Sequence, residues 1–312
     1  MKFNYPSLKF IIFCSLFVYA QKSISQTDDS KFIPVFDRTE VSLTVAANNF
    51  LGDLGGNLGA GGPFLKDFTW KTVKPLVGLS AGYYAKEWLQ VKAGFNFTSV
   101  AGADSLIKPT TDLARWRIYR NLSFKSSIFE AYITGDVYPL TFFNKEHTTS
   151  RWSPYLSFGV GIFHFNPKAE LNGQWIALQP LRLEGEGFAE YPDRKPYNLT
   201  QIYLPATIAV KYYFNDNYSL SGGATFRKTF TDYIDDISTT YIDPALFDKY
   251  LTPDQAALAK QLYERSLQPE KVKPGVVKAN ASNKDTYMTI FLTFSVMLNQ
   301  SSREPRFKYG IR

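Results

Sequence analysis

The stretch 48–68, NNFLGDLGGNLGAGGPFLKDF, places Gly52, Gly55, Gly56, Gly59, Gly61 and Gly62 close together, as a phosphate-binding loop would. The Walker form needs Lys-Ser/Thr after its last glycine, and Pro63-Phe64 stands there instead. The dinucleotide form needs a third glycine where Phe64 lies, and the residues that follow lack a helical period. The glycines therefore predict a turning loop, because glycine reaches positive φ without steric cost.

Histidine could serve as a general base beside a serine and a carboxylate. The chain has His147 and His164. His147 falls in a polar turn, and His164 on the outward face of an expected strand, near its loop end. A nucleophile, base and orienting acid cannot be assembled from these positions, which argues against hydrolysis. Asp232, Asp235, Asp236 and Asp243 offer oxygens to a cation such as calcium, yet the EF-hand spacing is absent. Turn and cap roles are expected for these acids, with no metal and no cofactor.

Period-two alternation decides which elements carry these residues. In 88–98, Leu89, Val91, Ala93, Phe95 and Phe97 oppose Gln90, Lys92, Gly94, Asn96 and Thr98. The same rhythm runs near 39–48, 75–85, 127–138, 155–164, 199–214, 218–228 and 288–296. Eight strands near or above the roughly 10 residues that cross a bilayer are too long for a typical sandwich. Their polar faces carry glycine, serine, threonine and charge, which suits a narrow lumen. Aromatic residues gather at strand ends (Tyr83-Tyr84, Trp88, Trp152, Tyr212-Tyr213-Phe214 and Tyr218), as in interfacial girdles. Connections alternate between short (85–87, 139–151, 215–217) and long (49–72, 99–124, 165–198, 229–284). These features predict an all-β fold: an eight-stranded antiparallel transmembrane β-barrel with long extracellular loops.

Within the last loop, 244–267 has helical spacing, and Thr252-Pro253 could cap and open a second helix. Pro205 lies within a strand and predicts a bulge. Lys92, Glu130, Asp136, Lys211 and Arg227 fall on polar faces and are expected to form an interior network. An eight-stranded lumen is just wide enough for side chains to fill, so no conducting pore is expected.

Residues 1–25 read as a signal peptide: Lys2 and Lys9 precede an apolar run from Phe10 to Ala20. Cleavage is expected after Ser25, or after Ala20. The only cysteine is Cys14, within that run, so the exported chain has no disulfide or thiolate metal site. The net charge of +7 falls to +4 without the signal's three lysines, too weak and dispersed for a nucleic-acid binder. Residues 26–298 are expected to form the barrel. The tail 299–312 carries Arg303, Arg306, Lys308 and Arg312, a candidate periplasmic contact.

As a set, NNFLGDLGG, FLKDFTWKTVKPLVGL, RNLSFKSSIFEAYI, SPYLSFGVGIFHFNPKAELNGQW, LQPL…EG and RKTFTDYIDDISTTYID span roughly 40–298. Together they resemble the Bacteroidota outer-membrane barrel family that includes PorG of the type IX secretion system. The resemblance implies outer-membrane localisation, a lipid-facing exterior and a non-enzymatic scaffold touching periplasmic ring proteins like PorK and PorN. The helical insert and the tail depart from the family's compact form. A barrel whose long loops bind a surface partner or glycan is the alternative, and a lipid-modifying barrel the third reading.

Overall fold

A computed structural model describes residues 31–32, 38–52, 54, 70–107, 111–143, 151–215, 217–279, 281, 284–298 and 307–308. The expected signal peptide lies outside them, as do His147, Arg303, Arg306, Arg312 and most of the glycine-rich stretch.

Eight long strands form the framework: β1 Thr39–Leu51, β2 Lys74–Lys86, β3 Leu89–Ala103, β4 Ser123–Val137, β5 Trp152–Leu171, β6 Thr200–Tyr213, β7 Tyr218–Thr229 and β8 Thr286–Met297. Each pairs antiparallel with its neighbours in sequence, and β8 pairs with β1 from Thr286↔Leu51 to Met297↔Glu40. The sheet is thus a closed eight-stranded up-and-down barrel, which leaves no free edge among these strands. Several strands outrun the expected bounds, β5 most of all at 20 residues. Its upper part pairs with a short strand, Gln174–Ala177, to make a hairpin above the barrel.

Side-chain parity sets the two faces. Leu43, Leu79, Phe95, Ile133, Phe158 and Leu292 point outward and are exposed. Ser42, Ser80, Asn96, Thr134, Ser157 and Thr293 point inward and are buried. This inverts a soluble protein, which would bury the apolar set. The lumen glycines have a steric reason: a Cβ on Gly161 would meet the Tyr203 ring, and one on Gly78 the Asn96 amide. Around the short-turn end, Tyr83, Phe142, Phe143, Trp152, Phe214 and Tyr218 form an exposed aromatic collar. Tyr84 and Tyr213 correct the expected girdle, since alternation turns them inward, where they are buried.

Pro205 causes no bulge. It pairs with Arg227 in an unbroken β6–β7 ladder. Toward β5 the register is the same on both sides of the proline, Phe158↔Ala206 and Gly161↔Tyr203, with the two intervening pairs missing. The missing donor is absorbed by a gap in one ladder rather than by an extra residue. The observed register shift lies instead between Tyr84 and Lys86 of β2.

The long connections fold into a cap at the opposite end from the aromatic collar. Helix α1, Asp112–Arg120, was not expected; Thr111 caps its start and Asn121, at φ 54°, ends it. A short helix, α2 Pro139–Phe143, follows β4 at the collar end. The helical insert is two helices, α3 Leu246–Tyr250 and α4 Pro253–Tyr263. Thr252 and Gln255 form a capping box with Pro253 in the first turn, as the residue types predict. The buried face of α4 (Ala256, Ala259, Leu262) packs with Leu181, Leu183, Tyr241 and Phe247. A second cluster, including Phe50, Leu54, Phe124, Phe163 and Phe165, joins the cap to the barrel mouth. Lys308 sits in a two-residue strand, Phe307–Lys308, that pairs with Lys31–Phe32.

Candidate functional site

Two buried polar clusters are candidates for function, one in the lumen and one in the cap. In the lumen, Glu130 of β4 accepts from Asn96 Nδ2 at 2.7 Å, Tyr287 OH at 2.6 Å and Tyr203 OH at 3.3 Å. Arg227 Nε lies 2.8 Å from Glu130 Oε1, and Arg227 Nη1 donates to Thr289 Oγ1 at 3.0 Å. Three hydrogen bonds and the Arg227 ion pair thus converge on Glu130. Nearer the short turns, Lys211 Nζ donates to both Glu40 oxygens at 2.9 Å and to Tyr84 OH at 3.0 Å, which occupies its three protons. Lys92 pairs with Asp136 at 2.5 Å.

The structure brings all five expected lumen residues inside the barrel, but not as one network. Lys92 joins Asp136, and Arg227 joins Glu130. Lys211 takes Glu40, a residue missing from the expected set. Glu40 shares the polar parity of Ser42 and Thr44, so its inward direction was readable. Its partner, 171 residues away, was not. Between the two layers a cavity of about 70 Å³ remains, reached by Lys92, Asp136, Tyr203 and Arg227. That is room for a few water molecules and no more.

The cap cluster is built differently. The Glu184-Gly185-Glu186-Gly187 stretch turns sharply, with φ of 77° at Gly185 and 79° at Gly187. Those conformations suit glycine and point both glutamates inward. Glu184 accepts Thr239 Oγ1 at 2.7 Å, Thr239 N at 2.8 Å and Ser238 N at 3.1 Å. Lys278 Nζ lies 3.7 Å from it. Glu186 accepts the Glu184 N–H at 3.2 Å through Oε2, and among the described residues its buried Oε1 has no hydrogen-bond partner. Asp236 accepts Tyr197 OH at 2.5 Å through Oδ1, and its buried Oδ2 likewise has none. Burial, and then the charge of Glu184, push the Glu186 carboxyl up to about 7. Burial, and then Glu186, hold Asp236 well above the usual carboxylate range.

The other acids of the 231–243 stretch do turn work. Asp235 accepts Leu54 N at 3.1 Å and Ile237 N at 3.2 Å, so it ties the start of the glycine-rich stretch to the last loop. Asp232 accepts Ser238 Oγ at 2.7 Å, and Asp243 accepts Ala245 N at 3.0 Å. Among the described residues no group of three His, Cys, Asp or Glu side chains is placed to hold a metal ion. His164 is exposed on the outer barrel face, where Nδ1 meets Thr200 Oγ1 at 3.0 Å. Arg120 makes a two-pronged pair with Asp104, both contacts at 2.8 Å, and also donates to the Lys278 carbonyl, tying the α1 loop to the last loop.

No protein-family profile matches the chain, and no curated protein does. Among solved structures it is similar to Neisserial surface protein A, at 12% identity and a TM-score of 0.36, over 83% of this chain and 96% of that one. It is also similar to Ail, the attachment invasion locus protein of Yersinia pestis, at 8% identity and a TM-score of 0.37, over 85% and 100% of the two chains. A major outer membrane protein from Thermus thermophilus gives 11% identity and a TM-score of 0.38, over 83% and 99%. At these levels no site residue and no role transfers, and the barrel rests on the closed strand ladder itself.

Proposed function

We propose that this chain is a non-conducting, non-enzymatic outer-membrane barrel that anchors a folded extracellular cap. The observation that carries this reading is the pairing of faces. The exterior is apolar over the length of the strands, and the interior is filled by buried ion pairs at two levels. A lipid-facing band explains the exposed Leu79, Phe95 and Leu292, which water would penalise. The collar of Trp152, Phe142 and Tyr218 suits the headgroup region. Two measurements test this. The refolded protein should run as a heat-modifiable band from an outer-membrane fraction and give no steps in planar bilayers. Recovery as a soluble periplasmic protein, or steady single-channel current, would overturn it.

The more specific role we propose is that of a PorG-like component of the type IX secretion system, meeting a periplasmic ring of PorK- and PorN-like proteins. Its support is the sequence resemblance. The ring would be met through the short turns and the tail with Arg303, Arg306, Lys308 and Arg312. Affinity purification in mild detergent should recover the ring proteins, and tail deletion should lose them. Recovery of the barrel alone argues against the secretion role. A second reading, that the long loops bind a surface partner, is favoured by the packing of the cap. Four buried α4 residues and the ion pairs at Asp104 and Glu184 hold those loops in one arrangement.

A further inference from the structure

The cap contains a second cavity, apart from the lumen, between the connection after β5 and the helical connection after β7. It measures about 310 Å³, and small-molecule pockets run from about 300 to 1,000 Å³. Gln179, Arg182, Glu186, Tyr197, Tyr250 and Gln255 form most of its wall. We propose that this cavity binds a small ligand carrying a primary ammonium beside hydrogen-bond-accepting oxygens, with Glu186 holding the ammonium and Arg182 facing the oxygens. Amino sugars and free amino acids share that chemistry. The proposal rests on the reading of the loops as a binding surface.

Glu186 supplies the first argument. It is 2% exposed, it lines the cavity, and its Oε1 has no partner. A buried carboxylate oxygen left without a donor is costly, and a ligand N–H that reaches it would remove that cost. Charge supplies the second. The groups around Glu186 are Glu184 and Asp236, both acids, with Tyr197 and Tyr233 neutral and Lys278 committed toward Glu184. Arg194 spends its guanidinium on the Glu184 and Thr240 carbonyls and the Thr240 hydroxyl. Among the described residues no cation forms an ion pair with Glu186 itself, and a ligand ammonium is its complement.

The wall is also rigid. Tyr197 stacks on Tyr233 at 4.5 Å and its hydroxyl is held by Asp236. Tyr250 stacks on Phe188 at 4.3 Å, and its hydroxyl accepts Ala189 N at 3.1 Å. Walls fixed in advance lower the ordering cost of binding. The capping box uses Oε1 of Gln255, not its Nε2 donor.

The test is calorimetric titration of the full chain in detergent micelles with glucosamine, glycine and, as a neutral control, N-acetylglucosamine. Binding of glucosamine or glycine is expected. For glycine, whose ammonium persists beyond pH 8, it should strengthen about tenfold from pH 6 to pH 8 as Glu186 ionises around 7, and less for glucosamine, whose amine loses its proton over that range. Which of the two binds identifies the ligand class. Glu186→Gln should weaken binding at least tenfold and flatten its pH dependence. Equal binding of the neutral control overturns the proposal. So does absence of binding in a protein whose barrel is shown folded by its heat-modifiable band and whose cap is shown folded by amide protection of α4. Surface attachment of cells with 244–267 trimmed is measured in parallel. Lost attachment with no amine binding sinks the cavity proposal and leaves the loop reading. Unchanged attachment sinks the loop reading itself.

Discussion

The lumen and the cap both bury charge, but they balance it in opposite ways. In the lumen each acid meets a base: Glu40 with Lys211, Asp136 with Lys92, Glu130 with Arg227. In the cap, Glu184, Glu186 and Asp236 gather around Lys278, and two carboxylate oxygens have no donor. A network of matched charges fixes one arrangement, whereas unmatched acids have a reason to take up a proton or a ligand. The difference assigns structure to the lumen and responsiveness to the cap.

The comparison breaks most sharply at Glu130. Glu130→Ala removes the acceptor of Asn96, Tyr203 and Tyr287 and strands Arg227 in a closed interior. A loss of about 5 kcal/mol is expected, at the upper end for a broken buried pair. Urea unfolding of the refolded barrel, followed by tryptophan fluorescence, measures it. A loss below about 1 kcal/mol would mean that the lumen network is dispensable.

Lys211 comes next. Lys211→Met should cost about 3–4 kcal/mol, because Glu40 is left charged and unpaired. Adding Glu40→Gln should recover much of that loss, since the stranded charge disappears. A double-mutant cycle in urea reads the coupling. Additive losses would show that the two side chains act independently.

The lumen was far more legible in the sequence than the cap, for a physical reason. A strand residue's direction follows from parity alone, so Lys92, Glu130, Asp136, Lys211 and Arg227 could be placed without knowing their partners. Tyr84 and Tyr213 went astray because a run of aromatics at a strand end hides its parity. In the cap, direction depends on contacts made across the chain. Helix α1 is nine residues of mostly polar sequence, held by the Arg120 pair with Asp104 and its reach to Lys278. Glu184 and Glu186 owe their inward aim to positive φ at Gly185 and Gly187, which the alternating Glu-Gly pattern only hints at. The capping box of α4 was readable because its signal is local.

Acidity separates the regions again. Glu186 titrates near 7 when folded and near 4.5 when unfolded, so the folded cap binds the extra proton between those values. The contribution of Glu186 to stability is therefore full below about pH 4.5 and is lost as pH rises toward 7, by about 3 kcal/mol at most. Hydrogen exchange in 231–243 and 184–197 should accelerate over that range, after correction for the intrinsic pH dependence of exchange. Glu186→Gln should flatten the profile and protect the cap at pH 8. Equal cap protection at pH 5 and pH 8 in the unmutated chain would remove the proton from the account.

The smallest expected effect asks whether the cap can loosen alone. Thr252 Oγ1 accepts Gln255 N at 3.4 Å, and Gln255 Oε1 returns to Thr252 N at 3.3 Å. Thr252→Ala removes the hydroxyl half of that box, at a cost of about 1 kcal/mol. The loss falls on α4, whose buried Ala256, Ala259 and Leu262 meet cap residues such as Phe247 and Tyr241 rather than the lumen. Faster exchange of α4 amides with an unchanged urea midpoint for the strands would establish the cap as a separate cooperative unit. A shift of the strand midpoint by the same free energy would instead join cap and barrel into one, and the contrast between a fixed lumen and a responsive cap would fail with it.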